Sequence, residues 1–358
     1  MDLSSATLVY IAPRSGRSGV GDYADEFIDV VRPHVGRVVE IRTDGPGTDT
    51  VRGLRAGRRQ VRGIVAEAAG PVIVHTEQSG GEMLPFWGPY GLDGVTVTST
   101  VHDPPLAVWW PFRTRFVASR RLLSHGIHYP IKGLTARLER RVNAGRTLFA
   151  LSRTGADHLR GLMTRSEVRA SSLFVPERDE ATPVAERPRA VGLFGYVYRG
   201  KGFDSLAELR AHLDPSIAIR VAGRGTEQLP AIDGVEVLGE VNGADEDAFF
   251  TSIRALVVPY VARRIYGVEA MPAASTVSRA IAYGTPVIAR AQGSLRELEA
   301  DGCAVVVDGD GADLARAAND LVDDDERLAA LAAGACALRT SRSAERVVDG
   351  YLAHWRSS

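Results

Sequence analysis

Short apolar runs alternate with amphipathic segments through the first half of the chain, and this alternation restricts the fold more than any other feature. Helical periodicity appears in "GDYADEFIDVVRPH" and "VRGLRAGRRQVRGIVAEAA". The runs around them have the length and composition of buried strands: "ATLVYIAP", "RVVEIRT", "PVIVHTE", "VTVTSTVHD" and "TLFALS". Strands separated by helices predict βαβ units and therefore a parallel sheet.

A polar, proline-rich stretch at residues 176–190 interrupts the alternation and has the composition of a linker. After it the alternation resumes, with "AVGLFGY", "IAIRVAG", "GVEVLGE" and "ALVVPY" as strands. We predict an α/β protein of two doubly wound, Rossmann-like domains, residues 1–180 and 187–342, followed by a helix at residues 343–358. Because ligands of such sheets bind at the carboxyl ends of the strands, we expect the domains to face each other across a cleft.

Composition removes several functional classes. The formal net charge of −1 gives no overall attraction to nucleic acid, so we expect no nucleic-acid partner. The start "MDLSSATLVYIAP" does not resemble a signal peptide, and no window approaches about 18 apolar residues, so a cytoplasmic location is expected. Cys303 and Cys336 are too few for a disulfide framework. We expect no metal, because Asp308 and Asp310 fit a turn and a helix N-cap.

Glycines cluster between the first strand and the first helix, in "APRSGRSGVGDY". Gly16, Gly19 and Gly21 allow backbone N–H groups to approach a phosphate or sugar at the helix start. Their order differs from the dinucleotide pattern G-x-G-x-x-G, which argues against a nicotinamide site. The alternative is a turn that only permits close packing of the helix.

"GYVYRGKGFDSL" brings Arg199 and Lys201 between a strand ending at Gly195 and a helix. Of the 43 basic residues, only Lys132 and Lys201 are lysine, so the use of lysine here is unusual for this chain. Two cations and free N–H groups at one point predict a phosphate contact. The alternative is a solvated basic turn. In the first half, His75 and His102 each lie at or just past a strand end and are candidates to line the site.

Residues 110–146 hold nine basic residues against Glu139 alone, with aromatic residues interleaved. Such a segment is able to meet an anionic acceptor or lipid headgroups, which would place the protein at the inner face of the membrane. The alternative is a solvated helix face.

The motifs "SGVGDYADEF", "VHDPP", "GYVYRGKGF", "IRVAGRG", "VEVLGEV", "ALVVPY" and "AYGTPVIARAQGSLRELEADG" together resemble the retaining GT-B glycosyltransferases, family 4 (group 1) in particular. The resemblance covers nearly the whole chain. It implies that a nucleotide-diphosphate sugar binds to the second domain as donor substrate, with no separate cofactor. It also implies that the acceptor, whether glycan, lipid-linked or small molecule, binds to the first domain, and that residues 343–358 cross back to that domain.

Carried over by position, the resemblance implies that Lys201 holds the donor diphosphate, with Arg199 as a substitute for a family arginine. It implies that Gly19 and Gly21 face the diphosphate and that His102 contacts the sugar. The residues implied to border the base are Gly223, Gly225, Gly239, Glu240 and Val241.

The resemblance has one gap, since two family glutamates fall on Met271 and Arg279 here. Arginine is a donor only, so Arg279 cannot accept hydrogen bonds from ribose hydroxyls, although it is able to pair with phosphate. Glu269, Ser275 and Thr276 around the following helix start are the expected replacements, because a hydroxyl-rich helix N-terminus suits a phosphate.

We therefore predict a metal-independent glycosyltransferase of hexosyltransferase type. Two alternatives stay open. The first is a catalytically degenerate GT-B protein that binds nucleotide or glycan or supports a partner enzyme. The second is another GT-B enzyme, such as a sugar-nucleotide epimerase.

Overall fold

The computed structural model describes residues 1–16, 18–103, 106, 112–179, 181–262, 264–265, 268–269 and 273–358, with backbone alone for residues 121, 264, 265, 268 and 269. The chain forms two compact units. Unit 1 contains Met1–Ser172, the described residues between 264 and 273, and Ala344–Ser358. Unit 2 contains Leu173–Arg263 and Ala274–Ser343.

The first division between the units falls at residue 172, ahead of the proline-rich stretch. Val175 is buried in the core of unit 2, and its N–H donates to the carbonyl of Arg342 at 2.8 Å. Residues just past 172 therefore pack as part of unit 2. The residues just before the predicted linker are apolar enough for this, because "LFV" at residues 173–175 precedes the charged stretch.

Unit 1 is built on a six-stranded parallel sheet in the order β2-β1-β3-β4-β5-β6. β1 and β3 are buried along their whole length, as expected for central strands of a parallel sheet. The strands are β1 Thr7–Pro13, β2 Arg37–Thr43, β3 Val72–Gln78, β4 Thr96–Val101, β5 Thr147–Ala150 and β6 Glu167–Ala170.

The helices of unit 1 that precede the second unit are α1 Gly19–Val31, α2 Val51–Glu67, α3 Met83–Trp87, α4 Arg115–Ala118, α5 Arg121–Asn143 and α6 Arg153–Leu162. Hydroxyl side chains cap four of them: Ser18, Thr50, Thr114 and Ser152 each accept a hydrogen bond from a backbone N–H of the first turn. These caps fix where each helix starts relative to the strand before it.

Unit 2 has a second six-stranded parallel sheet, in the order β14-β13-β10-β7-β8-β9. Its strands are β7 Ala190–Phe194, β8 Ala218–Ala222, β9 Val235–Gly239, β10 Ala255–Val258, β13 Val287–Arg290 and β14 Ala304–Val307. A separate antiparallel pair joins β11 Arg264–Ile265 and β12 Val268–Glu269. The prediction of two doubly wound α/β domains is confirmed.

The helices of unit 2 are α7 Leu206–His212, α8 Ala244–Thr251, α9 Ser275–Ala282, α10 Glu297–Ala300, α11 Gly311–Val322 and α12 Asp325–Ser341. Asp310 caps α11 through a capping box with Asp313, and Asp324 caps α12. Asp310 is therefore a helix N-cap, as the sequence predicts.

The last helix, α13 Ala344–Ser357, packs in unit 1. Its Tyr351 ring stacks on Phe149 with centroids 3.9 Å apart, and the indole N–H of Trp355 donates to Thr98 Oγ1 at 3.2 Å. Tyr351 and Trp355 are completely buried. Burial of two large aromatic side chains anchors this helix strongly.

Candidate functional site

Three turns meet at the carboxyl edge of the unit 2 sheet, after β7, β8 and β9. The N–H of Gly195 donates to the carbonyl of Ala222 at 3.0 Å, and the N–H of Gly223 donates to that of Gly239 at 2.6 Å. Gly223 has a φ of +129°, and a Cβ there would lie 2.1 Å from the carbonyl oxygen of Gly195. Only glycine fits, because a side chain would collide with the backbone. The predicted glycines Gly223 and Gly239 are thus brought together.

The charged residues of these turns pair with each other. Arg224 Nη2 lies 2.8 Å from Glu240 Oε1, and the guanidinium stands 5.0 Å from the ring centre of Tyr196. Hydrogen bonds from Arg224 hold the pKa of Glu240 below its ordinary value. Val241 is buried in the core, and the N–H of Gly225 is bound by Glu227. Of the predicted base-bordering residues, Glu240 is exposed and paired with Arg224, whereas Val241 is buried.

Lys201 lies in the loop between β7 and α7, largely buried between two tyrosines. Its Nζ donates a hydrogen bond to Tyr260 Oη and stands 4.1 Å from the ring centre of Tyr260 and 5.3 Å from that of Tyr198. Burial lowers the pKa of Lys201, opposed by the phenol of Tyr198. Among the side chains described, no carboxylate lies within 4.0 Å of Lys201. Arg199 is exposed in the same loop.

The loop that carries Lys201 is held tightly to the strand edge. Gly202 has a φ of +77°, and a Cβ there would lie 1.9 Å from the carbonyl oxygen of Pro259. The loop therefore touches the backbone that follows β10, which is where Tyr260 stands. This close backbone contact limits the positions that the Cα of Lys201 can take.

Helix α9 begins beside this lysine without a capping side chain. Ala274 occupies the N-cap and has no oxygen to offer to the first turn. Ser275 is exposed, whereas Thr276 is buried and its hydroxyl donates to the carbonyl of Phe194 at 3.2 Å. The N–H of Val277 donates to the carbonyl of Ala274 at 2.9 Å, so the N–H groups of Ser275 and Thr276 and the positive end of the helix dipole are left for an external acceptor. The Thr276 hydroxyl is already engaged within the protein.

Arg279 pairs with a carboxylate of the protein. Its Nη1 lies 3.3 Å from Oε1 of Glu246, which is almost completely buried on α8. The same oxygen accepts from Arg178 at 3.1 Å and from the hydroxyl of Tyr283 at 3.2 Å. Arg279 therefore links α9 to α8. Met271 lies outside the described residues.

Glu269 ends β12, and its side chain is not described.

In unit 1, His102 follows β4 and is held by a buried carboxylate that the sequence did not single out. Its Nε2 lies 2.7 Å from Glu77 Oε2, and Tyr10 Oη donates to Glu77 Oε1 at 2.8 Å. Burial alone would raise the pKa of Glu77, but hydrogen bonds from His102 and His75 lower it to about 2. An ionised Glu77 takes the Nε2–H of His102, which leaves Nδ1 as the ring nitrogen able to meet a ligand.

His75 is a core residue and does not line a site. It is completely buried, its Nδ1 lies 2.7 Å from Thr98 Oγ1, and its ring stacks on Phe27 with centroids 5.1 Å apart. The reason is that His75 lies in the middle of β3 (Val72–Gln78), whereas His102 follows the carboxyl end of β4. Of the two candidate histidines, only His102 reaches the carboxyl edge of the sheet.

The two predicted loop glycines differ in their surroundings. A Cβ on Gly21 would lie 2.2 Å from the carbonyl oxygen of Arg14, and the N–H of Gly21 is bound by Ser18. Gly21 is therefore required for close packing of the loop on α1. Gly19 has open space where a side chain would stand. Of the pair, Gly19 leaves room for a ligand.

A small cavity of about 30 Å³, open to solvent, adjoins His102 in unit 1. Polar side chains from β4 and α6 line it, namely those of His102, Asp103, Ser152 and His158. Apolar residues, including Leu151 and Leu159, form the rest of its wall. Mixed polar and apolar walls of this kind suit a hydroxylated ligand.

The described part of residues 110–146 forms α4 and α5. Its buried side chains include His128, Thr135 and Glu139, and the rest of α5 is mostly exposed. Exposed apolar residues are unusually many here: Phe112, Phe116, Leu122, Leu123, Ile127, Tyr129 and Leu134. We call this set, with the arginines between them, the α4–α5 surface. No helix among the described residues is long and apolar enough to cross a bilayer.

One protein family matches part of the chain. Residues 188–324, which contain Lys201, α9 and the three turns, match the family described as "Glycosyl transferases group 1". A comparison with curated protein sequences gave no match. Among the described residues, no group of three histidine, cysteine or acidic side chains is arranged to hold a metal ion.

Solved structures similar to the whole chain have the GT-B fold. Sucrose-phosphate synthase from Thermosynechococcus elongatus matches with a TM-score of 0.68 and 15% identity, over 99% of this chain and 100% of that one. HepE from Anabaena, in complex with UDP, matches with a TM-score of 0.68 and 12% identity over 98% and 100%. WaaG, a glycosyltransferase of lipopolysaccharide biosynthesis, matches with a TM-score of 0.59 and 14% identity over 97% and 98%. At these identities the likeness establishes the fold.

Proposed function

We propose that the protein is a glycosyltransferase that moves a hexosyl group from a nucleotide-diphosphate sugar to an acceptor hydroxyl, with retention of configuration. One observation carries the proposal. Lys201, which has no described carboxylate partner, and the uncapped start of α9 share one edge of the unit 2 sheet, within the range that matches group 1 glycosyl transferases. An ammonium and free N–H groups at one point favour a dianionic ligand.

The chemistry follows from the leaving group. As the bond from the sugar to the diphosphate breaks, negative charge grows on the departing phosphate oxygens. Lys201 and the positive end of α9 would stabilise that charge where it develops, so the proposal requires no metal. The turns at Gly223 and Gly239 would border the base. His102, held by Glu77, would contact the sugar through Nδ1.

UDP is the first nucleotide to test, because HepE structures contain UDP and UDP-glucose. Thermal shift and calorimetry with UDP-, GDP-, dTDP- and ADP-sugars would identify the base. Lys201→Ala should lower the affinity for the donor at least about tenfold, since it removes a charge-assisted contact. Lys132→Ala, at the only other lysine, is the matched control. Equal affinity in wild type and Lys201→Ala would refute the assignment.

The helix contact has its own test. Ser275→Pro removes the first N–H of α9 at a position where proline is well tolerated, and the preceding Ala274 is already extended. Ser275→Ala keeps that N–H and serves as control. Donor affinity should fall in the proline variant alone. If both variants bind alike, α9 does not hold the diphosphate through this group.

One observation favours a second candidate, a degenerate protein that binds nucleotide or glycan without turnover. Arg279 pairs with Glu246 of the protein. A ligand therefore finds no free carboxylate at position 279. Incubation with the stabilising donor separates the candidates. Slow hydrolysis or transfer supports the transferase, an epimerised donor indicates an epimerase, and binding with no product supports the degenerate protein.

We further propose that the acceptor is reached at an anionic membrane surface through the α4–α5 surface. Leu122 and Leu134 are 89% and 63% exposed on a helix whose only described acid, Glu139, is buried. Apolar and basic side chains on one exposed helix suit headgroups and acyl chains together. Leu122→Ser with Leu134→Ser should reduce flotation with anionic liposomes. Val51→Ser, an exposed apolar residue elsewhere, should not, and absence of wild-type flotation at low salt would refute the proposal.

A further inference from the structure

Tyr260 connects the two elements to which donor binding is assigned. Lys201 Nζ donates to its hydroxyl oxygen, and that hydroxyl donates in turn to Thr276 Oγ1 at 3.1 Å. The hydroxyl of Thr276 donates in turn to the carbonyl of Phe194. One continuous row of hydrogen bonds thus joins the loop after β7, the residue after Pro259 and the second residue of α9.

We propose that Tyr260 is a positioning residue that holds the Lys201 ammonium at the start of α9, so that a diphosphate meets both cationic groups at once. The inference rests on the proposed function. It adds Tyr260, which lies outside the loop and the helix that are proposed to touch the ligand. Tyr260 is 7% exposed, so its ring is fixed by packing and its hydroxyl has a defined direction.

The physical need for such a residue lies in the lysine side chain. A lysine has four rotatable side-chain bonds, and fixing it without a partner costs conformational entropy that binding must then supply. Tyr260 provides an acceptor oxygen and, at 4.1 Å, the negative face of a ring. It therefore offsets the loss of water around a buried ammonium while leaving the other N–H donors of Nζ for a ligand.

The titratable groups that face Nζ in the described structure are the phenols of Tyr198 and Tyr260. Tyr260→Phe keeps the ring and the cation–π contact but removes the oxygen. Without it, the buried ammonium has one partner fewer, so its charged form becomes less favourable. A packing role alone would leave the titration of Lys201 unchanged, because phenylalanine fills the same space.

Two lysines in the chain make the measurement direct. The full-length protein is reductively methylated with ¹³C-formaldehyde, and the dimethyl-lysine signals are followed by NMR against pH. Lys132→Arg assigns the spectrum. We expect the Lys201 signal to titrate below that of N-acetyl-lysine in the wild type, and lower still in Tyr260→Phe. Tyr196→Phe, which removes a hydroxyl from the same turn without touching Lys201, is the matched control and should leave it unmoved.

Calorimetry with unmodified protein and UDP completes the test. Tyr260→Phe should weaken UDP about tenfold, because the ammonium is no longer held in place. An unchanged Lys201 titration in the variant, or unchanged UDP affinity, would overturn the inference. Should the variant not fold, a wild-type Lys201 signal that titrates with N-acetyl-lysine would overturn it as well. If the titration shifts but wild type binds no nucleotide, the Tyr260–Lys201 contact is supported and the proposed function fails.

Discussion

Replacing Glu77 by glutamine tests whether a buried carboxylate holds the His102 edge of unit 1. Glutamine has nearly the same shape but no charge, so it loses the ionic part of the hydrogen bonds from Tyr10, His75 and His102. The pKa of Glu77 is lowered from 4.5 to about 2. At about 1.4 kcal/mol per pKa unit, the ionised form contributes about 3 kcal/mol to the free energy of unfolding.

The pH dependence has a definite sign. The pKa of Glu77 is lower in the folded than in the unfolded protein, so the stabilisation is complete above about pH 4.5 and is lost as the pH falls towards about 2. The wild type should therefore exceed Glu77→Gln by about 3 kcal/mol at pH 7 and by about 2 kcal/mol at pH 3.5.

Urea unfolding followed by tryptophan fluorescence measures this difference. Trp355 is buried with its ring 5.7 Å from that of His75, so it reports on the same core. Glu240→Gln, at an exposed carboxylate that also accepts from an arginine, is the matched control and should change little. Equal unfolding midpoints for wild type and Glu77→Gln at pH 7, or a difference that stays the same at pH 3.5, would refute the reasoning.

Three further predictions concern other contacts. Arg279→Met should leave UDP affinity within about twofold in calorimetry, because Arg279 pairs with Glu246; a tenfold loss would place it on the ligand instead. Burial lowers the pKa of His354, so unit 1 should lose stability as the pH falls below about 6.5, and thermal unfolding of His354→Phe should lack this sensitivity. Gly202→Ala should destabilise by about 2 kcal/mol in urea unfolding, since its Cβ would meet the Pro259 carbonyl, whereas Gly19→Ala should be tolerated.

The strands and helices of both units were predictable because their signals are local. Alternating apolar and amphipathic segments set the two parallel sheets, and the capping role of Asp310 could be read from a single residue before a helix. Each of these inferences needed only neighbouring residues along the chain.

The partners of charged and polar side chains were not predictable in the same way. Glu77 lies in the strand "VIVHTEQ", where a single acid suggests a solvent-facing position, and its burial depends on His102 and Tyr10 from other strands. The one available signal was an acid inside a strand that begins with the apolar run "VIV". Tyr260, at the end of "ALVVPY", gave no sign that it would meet Lys201 from 59 residues away.

The sequence by itself determined two α/β units, the glycine turns and the presence of a rare lysine beside a helix start. Only the tertiary structure decided which of these groups remain open to a ligand. It engaged the hydroxyl of Thr276, paired Arg279 with Glu246 and placed His75 in the core, while it left Lys201 beside an uncapped helix. The physical reason is that secondary structure follows local periodicity, whereas the fate of a buried polar group depends on partners brought close by folding.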